Sequence, residues 1–113
     1  MTTITIEVED RDATNRRFMA AMQGQTQGEF LSFDSPALLF QVLNARRWSI
    51  LDHLQKQGPM GLRVLARALD MDAGNLARDI KPLKTHGLVV DGVAGLRVPY
   101  DAIEIRLALS RAA

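Results

Sequence analysis

Residues 62–87 carry the sequence LRVLARALDMDAGNLARDIKPLKTHG, which holds two short amphipathic segments separated by a turn. Apolar residues recur at helical spacing in residues 61–69, and the small Ala66 leaves room for a second helix to pack across the first. The second segment covers residues 72–86, and the turn covers residues 70 and 71. The pattern predicts two helices joined by a tight turn, which is the arrangement of a helix-turn-helix.

The second of these helices has one apolar and one polar face. At about 100° per residue, Leu76, Ile80 and Leu83 fall within one arc. The opposite arc holds Gly74, Arg78, Lys81 and Thr85, with Asn75 at its shoulder. Arginine and lysine contact guanine edges or phosphates, asparagine pairs with adenine, and a helix N-terminus offers free amides to a phosphate. These five residues form the predicted DNA-reading surface.

Pro82 lies inside this predicted helix. A mid-helix proline removes one hydrogen bond and clashes with the carbonyl four residues back, at a cost of about 3 kcal/mol or more. The sequence therefore predicts a kink or an early helix end, which weakens the case for Thr85 as a DNA contact.

Four other arginines accompany the two helices. Arg63 and Arg67 lie on the outer side of the first, where we expect contacts to the DNA backbone that add affinity without sequence information. Arg46 and Arg47 begin an earlier helix, and we interpret them as a solvated helix start rather than as phosphate contacts.

The other elements follow from capping residues and periodicity. Helices are predicted over residues 12–22, 36–43 and 45–57. Strands are predicted over residues 2–9, 30–33, 88–90, 96–98 and 103–109. The first strand would bury only the face of Ile4, Ile6 and Val8, while Trp48 is expected in the core and Gly87 as a left-handed helix cap.

This order predicts an α+β, mainly helical chain: a winged helix-turn-helix over residues 35–113 with an added N-terminal strand and helix in residues 1–34. The wing, residues 91–96, has only Arg97 at its base as a cation, so its DNA contact is expected to be weak or made by backbone. Either residues 1–34 or the edge of the last strand would join two copies.

Composition narrows the classes of protein. The chain has 113 residues and no cysteine, which excludes disulfides, thiolate zinc sites and a cysteine nucleophile. No signal peptide or membrane span is expected. Residues 1–34 hold six acids against three bases, whereas residues 35–113 hold eleven bases against seven acids. This asymmetry permits a polyanionic partner for the C-terminal part.

Signals for catalysis or for a bound metal are missing from the sequence. His53 and His86 have no second ligand at a useful spacing, and the serines lack the glycines of a nucleophile elbow. No phosphate-loop motif follows the glycines at 24 and 28. We therefore expect neither an enzyme nor a cofactor.

Several motifs together resemble a known group. They are Leu31-Ser32-Phe33-Asp34-Ser35, Leu43-Asn44-Ala45-Arg46-Arg47, Gly58-Pro59, Val64-Leu65-Ala66-Arg67-Ala68-Leu69, Arg78-Asp79-Ile80-Lys81-Pro82-Leu83, His86-Gly87-Leu88-Val89 and Val98-Pro99-Tyr100-Asp101-Ala102-Ile103. With them, residues 31–109 resemble small prokaryotic winged-helix proteins related to the MarR and ArsR groups, described as predicted transcriptional regulators. The resemblance implies sequence-specific DNA binding and gene control. Members often lie beside toxin-like genes, which implies an autorepressing antitoxin with a toxin protein as partner.

The sequence thus predicts a cytoplasmic transcription regulator that binds double-stranded DNA. We expect a homodimer, because one recognition helix makes too few base contacts and two copies can bind half-sites about one helical turn apart. The alternative is a winged-helix protein–protein interaction module without specific DNA binding, which the near-neutral charge and the bare wing favour.

Overall fold

The computed structural model describes residues 2–9, 18–19, 22–23, 28–109 and 111. These residues form an α+β structure. Its helices are α1 (Pro36–Val42), α2 (Ala45–Gln57), α3 (Leu62–Ala68) and α4 (Ala73–Thr85). Its strands are β1 (Thr3–Val8), β2 (Glu29–Phe33), β3 (Val90–Gly92), β4 (Gly95–Arg97) and β5 (Ala102–Arg106).

The chain divides into two compact units, one of Met1–Phe40 with Ala102–Ala113 and the other of Gln41–Asp101. The predicted division after residue 34 stays a prediction.

Helix limits in the second unit follow from local capping. Asn44 precedes α2, and its Oδ1 accepts from the Arg47 N–H at 2.9 Å. Asp72 precedes α4, and its Oδ2 accepts from the Asn75 N–H at 3.0 Å. Each carboxyl or amide oxygen satisfies an amide that has no partner within its helix. The observed limits of α2 and α4 therefore agree closely with those predicted from the sequence.

A hydrophobic core unites α2, α3, α4 and the hairpin. Its buried apolar residues are Ile50, Leu51, Leu54, Leu65, Ala66, Leu76, Ile80, Leu83, Leu88, Val89 and Leu96. The expectation that Trp48 belongs to this core is wrong, because its side chain is 40% exposed. On the helix wheel it lies outside the arc of Ile50, Leu51 and Leu54, whose burial sets the inward face of α2.

The hairpin begins later than its predicted position at residue 88. Leu88 and Val89 are buried but precede β3, because the Leu88 N–H still bonds to the Leu83 carbonyl of α4. Strands β3 and β4 pair antiparallel around a turn at residues 93 and 94. Leu96 also exchanges two backbone hydrogen bonds with Met60, at 2.8 and 3.2 Å, which ties the hairpin to the segment before α3.

A three-stranded parallel sheet in the order β2-β1-β5 forms the first unit. β1 is its central strand, and Thr5 and Glu7 are buried along with Ile4 and Ile6. The prediction that only one face of this strand is buried is therefore wrong. The strands of parallel sheets are commonly covered on both faces, so a simple alternation underestimates the burial of such a strand.

The last strand is shorter than predicted. β5 ends at Arg106, opposite Glu7 of β1, and Leu109 beyond it is fully exposed. Most of the predicted helix over residues 12–22 lies outside the described residues. Phe18, Met19 and Met22 within it are helical and exposed.

Candidate nucleic-acid interface

Helix α4 presents the polar face that the sequence predicts. Leu76, Ile80 and Leu83 are between 0 and 4% exposed and pack into the core. All five residues of the predicted reading surface are exposed: Gly74, Asn75, Arg78, Lys81 and Thr85. The helix thus offers two cations and an amide to a partner on the side opposite its packed face.

Pro82 does not end α4, so the predicted early end is wrong. The helix continues to Thr85, and the His86 N–H donates to the Pro82 carbonyl at 3.1 Å. Proline removes only its own donor, and the donors that follow it restore the helical bonding. The Thr85 hydroxyl donates to the Lys81 carbonyl at 3.0 Å, so its hydrogen is used within the helix while its oxygen can still accept.

Asp79 is the residue of this region that the sequence analysis missed. It lies on the packed side of α4 and is only 3% exposed. Arg46 donates to it through Nε (2.6 Å) and Nη2 (2.9 Å), and Arg47 donates through Nε at 3.1 Å. The sequence signal was available: a carboxylate that borders the apolar arc of a helix lies close to the packed surface and, if buried there, requires a cation from another element.

The two arginines at the start of α2 therefore have a structural role. The interpretation as a solvated helix start is wrong for Arg47, and for the exposed Arg46 it leaves out the ion pair with Asp79. Arg47 is the more enclosed, with its side chain 18% exposed against 59% for Arg46. Nη1 of Arg47 also donates to the carbonyls of Gln41 and Val42, at 2.9 and 3.1 Å. It thus caps the end of α1 while holding Asp79 of α4.

The hydrogen bonds from Arg46 lower the pKa of Asp79, against the opposing effect of burial, and Arg47 adds to the lowering. The hydrogen bond and charge of Asp79 in turn raise the pKa of Arg46. Both groups are therefore held in their charged forms. The inner side of α4 is electrostatically satisfied, and its outer cations are left to face solvent.

A polar cleft of about 540 Å³ lies at the N-terminal end of α4. It is lined by Arg46, Arg47, Asp70, Met71, Asp72, Asn75, Arg78 and Asp79. Three arginines and three aspartates give it a mixed charge, which differs from the apolar lining of most small-molecule pockets. Asn75 and Arg78 belong both to this cleft and to the exposed face of α4.

The remaining predicted contacts lie on α3 and on the hairpin. Arg63 and Arg67 are exposed and one helical turn apart on α3. Arg97 is exposed on β4, and its side chain runs across the hairpin, since a Cβ on Gly92 would lie 3.2 Å from its Cδ.

The described cations fall into two groups according to their ion pairs. Those with an acidic partner within 4.0 Å are Arg46, Arg47, Lys56, Lys84 and Arg106. The second group forms no ion pair with another described residue. It consists of Arg111 and of the cations predicted to contact DNA, which are Arg63, Arg67, Arg78, Lys81 and Arg97. Among the described residues, the predicted contact residues and Arg111 are thus the cations that remain available to an external anion.

Within the described ranges, no three histidine or acidic side chains come close enough together to hold a metal ion. None of the described helices has the length and apolar character needed to cross a membrane.

The chain is thus an α+β protein with a helical unit that exposes cations without an ion pair to any described residue. A family model, HVO_A0114, matches residues 42–105, which is more than half of the chain, so the protein belongs to the HVO_A0114 family. Neither a curated protein nor a solved structure gives a match. The predicted relation to the MarR and ArsR groups stays a prediction.

Proposed function

We propose that this protein is a cytoplasmic DNA-binding transcription regulator in which α4 enters the major groove as the recognition helix of a winged helix-turn-helix. The observation that carries the proposal is the absence of any ion pair, among the described residues, at the five cations predicted to contact DNA. Leaving such cations unpaired is what binding a polyanion requires, because each must be available to replace a counterion at a phosphate.

The dimensions and chemistry of α4 suit this role. Its 13 residues extend about 20 Å, and a helix of ordinary diameter fits the major groove. Asn75 and Arg78 lie near its N-terminal end, where a recognition helix contacts base edges. Lys81, one turn further along, is placed for a base or a phosphate. Arg63 and Arg67 on α3 would contact the backbone, and Arg97 would make the one charged contact from the hairpin.

Specific binding would need two copies of the chain, since one short helix reads few base pairs. The resemblance to regulators encoded beside toxin-like genes extends the proposal to an antitoxin that represses its own operon and binds a toxin protein.

The second candidate is a protein–protein interaction module. The observation that favours it is apolar exposure at the hairpin tip, where Val93 is fully exposed, and on α3, where Val64 is 55% exposed. An apolar hairpin tip suits a protein surface better than a phosphate backbone.

Fluorescence anisotropy on DNA from upstream of the protein's own gene, with a scrambled duplex for comparison, tests the first candidate. We expect tighter binding to the native duplex, and a loss of about 5- to 150-fold there on Arg78→Ala if this residue reads a base. Lys56→Ala removes an equal charge from the exposed side of α2, and it should change the affinity by less than about threefold.

Equal losses on both duplexes would make Arg78 a phosphate contact. Equal affinity of the wild-type protein for both duplexes, or no binding, would contradict the proposal and favour the interaction module. A steep fall of affinity with salt would count against that second candidate, because counterion release is the signature of phosphate contacts.

A further inference from the structure

β5 is an edge strand of the described three-stranded sheet. In the part of the chain that the structure describes, β5 pairs only with β1, and the sheet ends there. The Ala102 N–H donates to the Thr2 carbonyl at 3.1 Å, on the inner side. Because the peptide groups of a strand alternate between its two sides, the N–H and C=O of Ile103 and Ile105 point to the outer edge.

The side chains of this strand divide into a charged and an apolar set. Glu104 and Arg106 share one face, with side chains 55 and 69% exposed and Nη2 of Arg106 a distant 3.8 Å from Oε2 of Glu104. Ile103 and Ile105 share the other face, which Leu107 continues just beyond the strand. Ile105 and Leu107 are 40 and 43% exposed. An edge without lysine or proline that carries apolar side chains is one that other chains can extend.

We propose that β5 pairs antiparallel with β5 of a second copy of this chain, with the two-fold axis at Ile105. In this register the outward peptide groups of Ile105 bond to those of the partner's Ile105. Glu104 then lies directly opposite the partner's Arg106, and Arg106 opposite the partner's Glu104. Opposite charges in directly facing positions stabilise a strand pair, and one such pair lies on each side of the axis.

Charge selects this register over its neighbours. In an antiparallel pair, two directly facing residues either both turn their peptide groups toward the partner strand or both turn them away. Neighbouring residues of one strand turn them to opposite sides, so a residue cannot face the partner copy of its own neighbour. The two-fold axis must therefore pass through a residue and not between two residues. An axis at Glu104 or at Arg106 would bring two like charges together, and an axis at Ile103 would place Glu104 opposite alanine. Only the axis at Ile105 pairs both charges and also brings the apolar residues of the two strands onto one face.

A second copy is the occupant that this edge fits, because its charges complement those of an identical strand. The other outer strand, β2, carries a single charged residue, Glu29, and has no such self-complementarity. The inference deepens the proposed function by naming the surface that joins two copies. Only the role of the dimer in binding DNA rests on that proposed function, because the strand pairing itself requires no DNA.

Sedimentation equilibrium of the full chain without DNA tests the pairing through a charge exchange. We expect a wild-type dimer, a dimer dissociation constant about tenfold or more higher for Glu104→Arg and for Arg106→Glu, and recovery to within about threefold in the double variant. Both side chains are exposed, and circular dichroism checks that the folds persist, above all in Arg106→Glu, which places a carboxylate opposite the buried Glu7 of β1. Lys56→Glu on α2 is the control and should leave dimerisation unchanged.

A mixture of the two single variants should also form heterodimers, because each supplies the charges that the other lacks. A monomeric wild-type protein, or single variants that dimerise as well as the wild type, would overturn the proposal. Failure of DNA binding in a protein that still shows the charge exchange would reject the proposed function and leave the dimer standing.

Discussion

The guanidinium of Arg46 donates a hydrogen bond to each carboxylate oxygen of Asp79, with Nε 2.6 Å from Oδ2 and Nη2 2.9 Å from Oδ1. The contact joins the first turn of α2 to the inner side of α4, across 33 residues of sequence. Because Asp79 follows Arg78 directly, holding the carboxylate inward turns the neighbouring arginine outward. The ion pair thereby acts together with the packed Leu76, Ile80 and Leu83 to hold the rotation of the helix that we propose reads DNA.

Replacing this carboxylate should weaken the second unit. We expect Asp79→Asn to lower the free energy of unfolding by about 1–3 kcal/mol, because charge-assisted bonds from two arginines to a carboxylate that is only 3% exposed are lost. Urea denaturation monitored by circular dichroism measures the change. Asp91→Asn breaks the exposed pair with Lys84 and should cost less than about 0.5 kcal/mol. If both variants lost a similar free energy of unfolding, the Asp79 ion pair would stabilise the protein no more than an exposed one.

The same pair predicts how stability depends on pH. The pKa of Asp79 is lowered in the folded state, so its contribution is present above the unfolded-state pKa of about 3.9 and is lost as the pH falls through the folded pKa. We expect the stability difference between the wild-type protein and Asp79→Asn to be constant near neutral pH and to shrink below about pH 4. Denaturant titrations from neutral pH downward measure it, and a difference that persists unchanged in acid would refute the assignment.

The hairpin depends on a glycine at the start of β4. Gly95 has a φ of 121°, and a Cβ there would lie 2.5 Å from the Met60 carbonyl oxygen and 2.7 Å from the Gly61 nitrogen. We expect Gly95→Ala to lower the free energy of unfolding by about 2 kcal/mol or more, since backbone cannot move aside cheaply. In thermal melts, Gly61→Ser should be neutral or slightly stabilising, because that position has open space and caps α3. An unchanged free energy of unfolding in Gly95→Ala would contradict the close approach of Gly95 to the backbone of Met60 and Gly61.

Helices α3 and α4 end in the same motif with different residues in the left-handed position. After α3, Asp70 (φ 53°) and Met71 donate to the carbonyls of Arg67 and Ala66, at 3.2 and 2.8 Å. After α4 the corresponding position is Gly87, with φ 74°. Because side chains disfavour this region, Asp70→Gly should stabilise the protein by about 0.5–1 kcal/mol.

Gly87→Ala should destabilise it by about 1 kcal/mol for the same reason, since a Cβ at Gly87 would meet no atom within 4 Å and only its backbone conformation matters. Thermal melts of the two variants should therefore shift in opposite directions. If both variants were less stable than the wild type, the Asp70 side chain would stabilise the protein by more than its left-handed backbone conformation costs.

Much of the second unit could be predicted from sequence because its signals are local. The Asn44 and Asp72 caps, the glycine after α4 and the apolar stripe of Leu76, Ile80 and Leu83 involve residues within a few positions of one another. Interactions of that range depend on spacing alone, so the limits of α2 and α4 and the exposed side of α4 followed from the pattern.

What escaped prediction depends on residues far apart in the chain. The central place of β1 requires strands from both ends of the sequence to meet, and alternation along one strand cannot show how many neighbours it has. The helix wheel could indicate that Asp79 needs a cation, but not that Arg46 and Arg47 supply it, because such an ion pair is a property of two surfaces packed together. Local sequence thus determines the helices and their exposed residues. The partners of β1 and of Asp79 are determined only by the tertiary structure, because they come from distant segments of the chain.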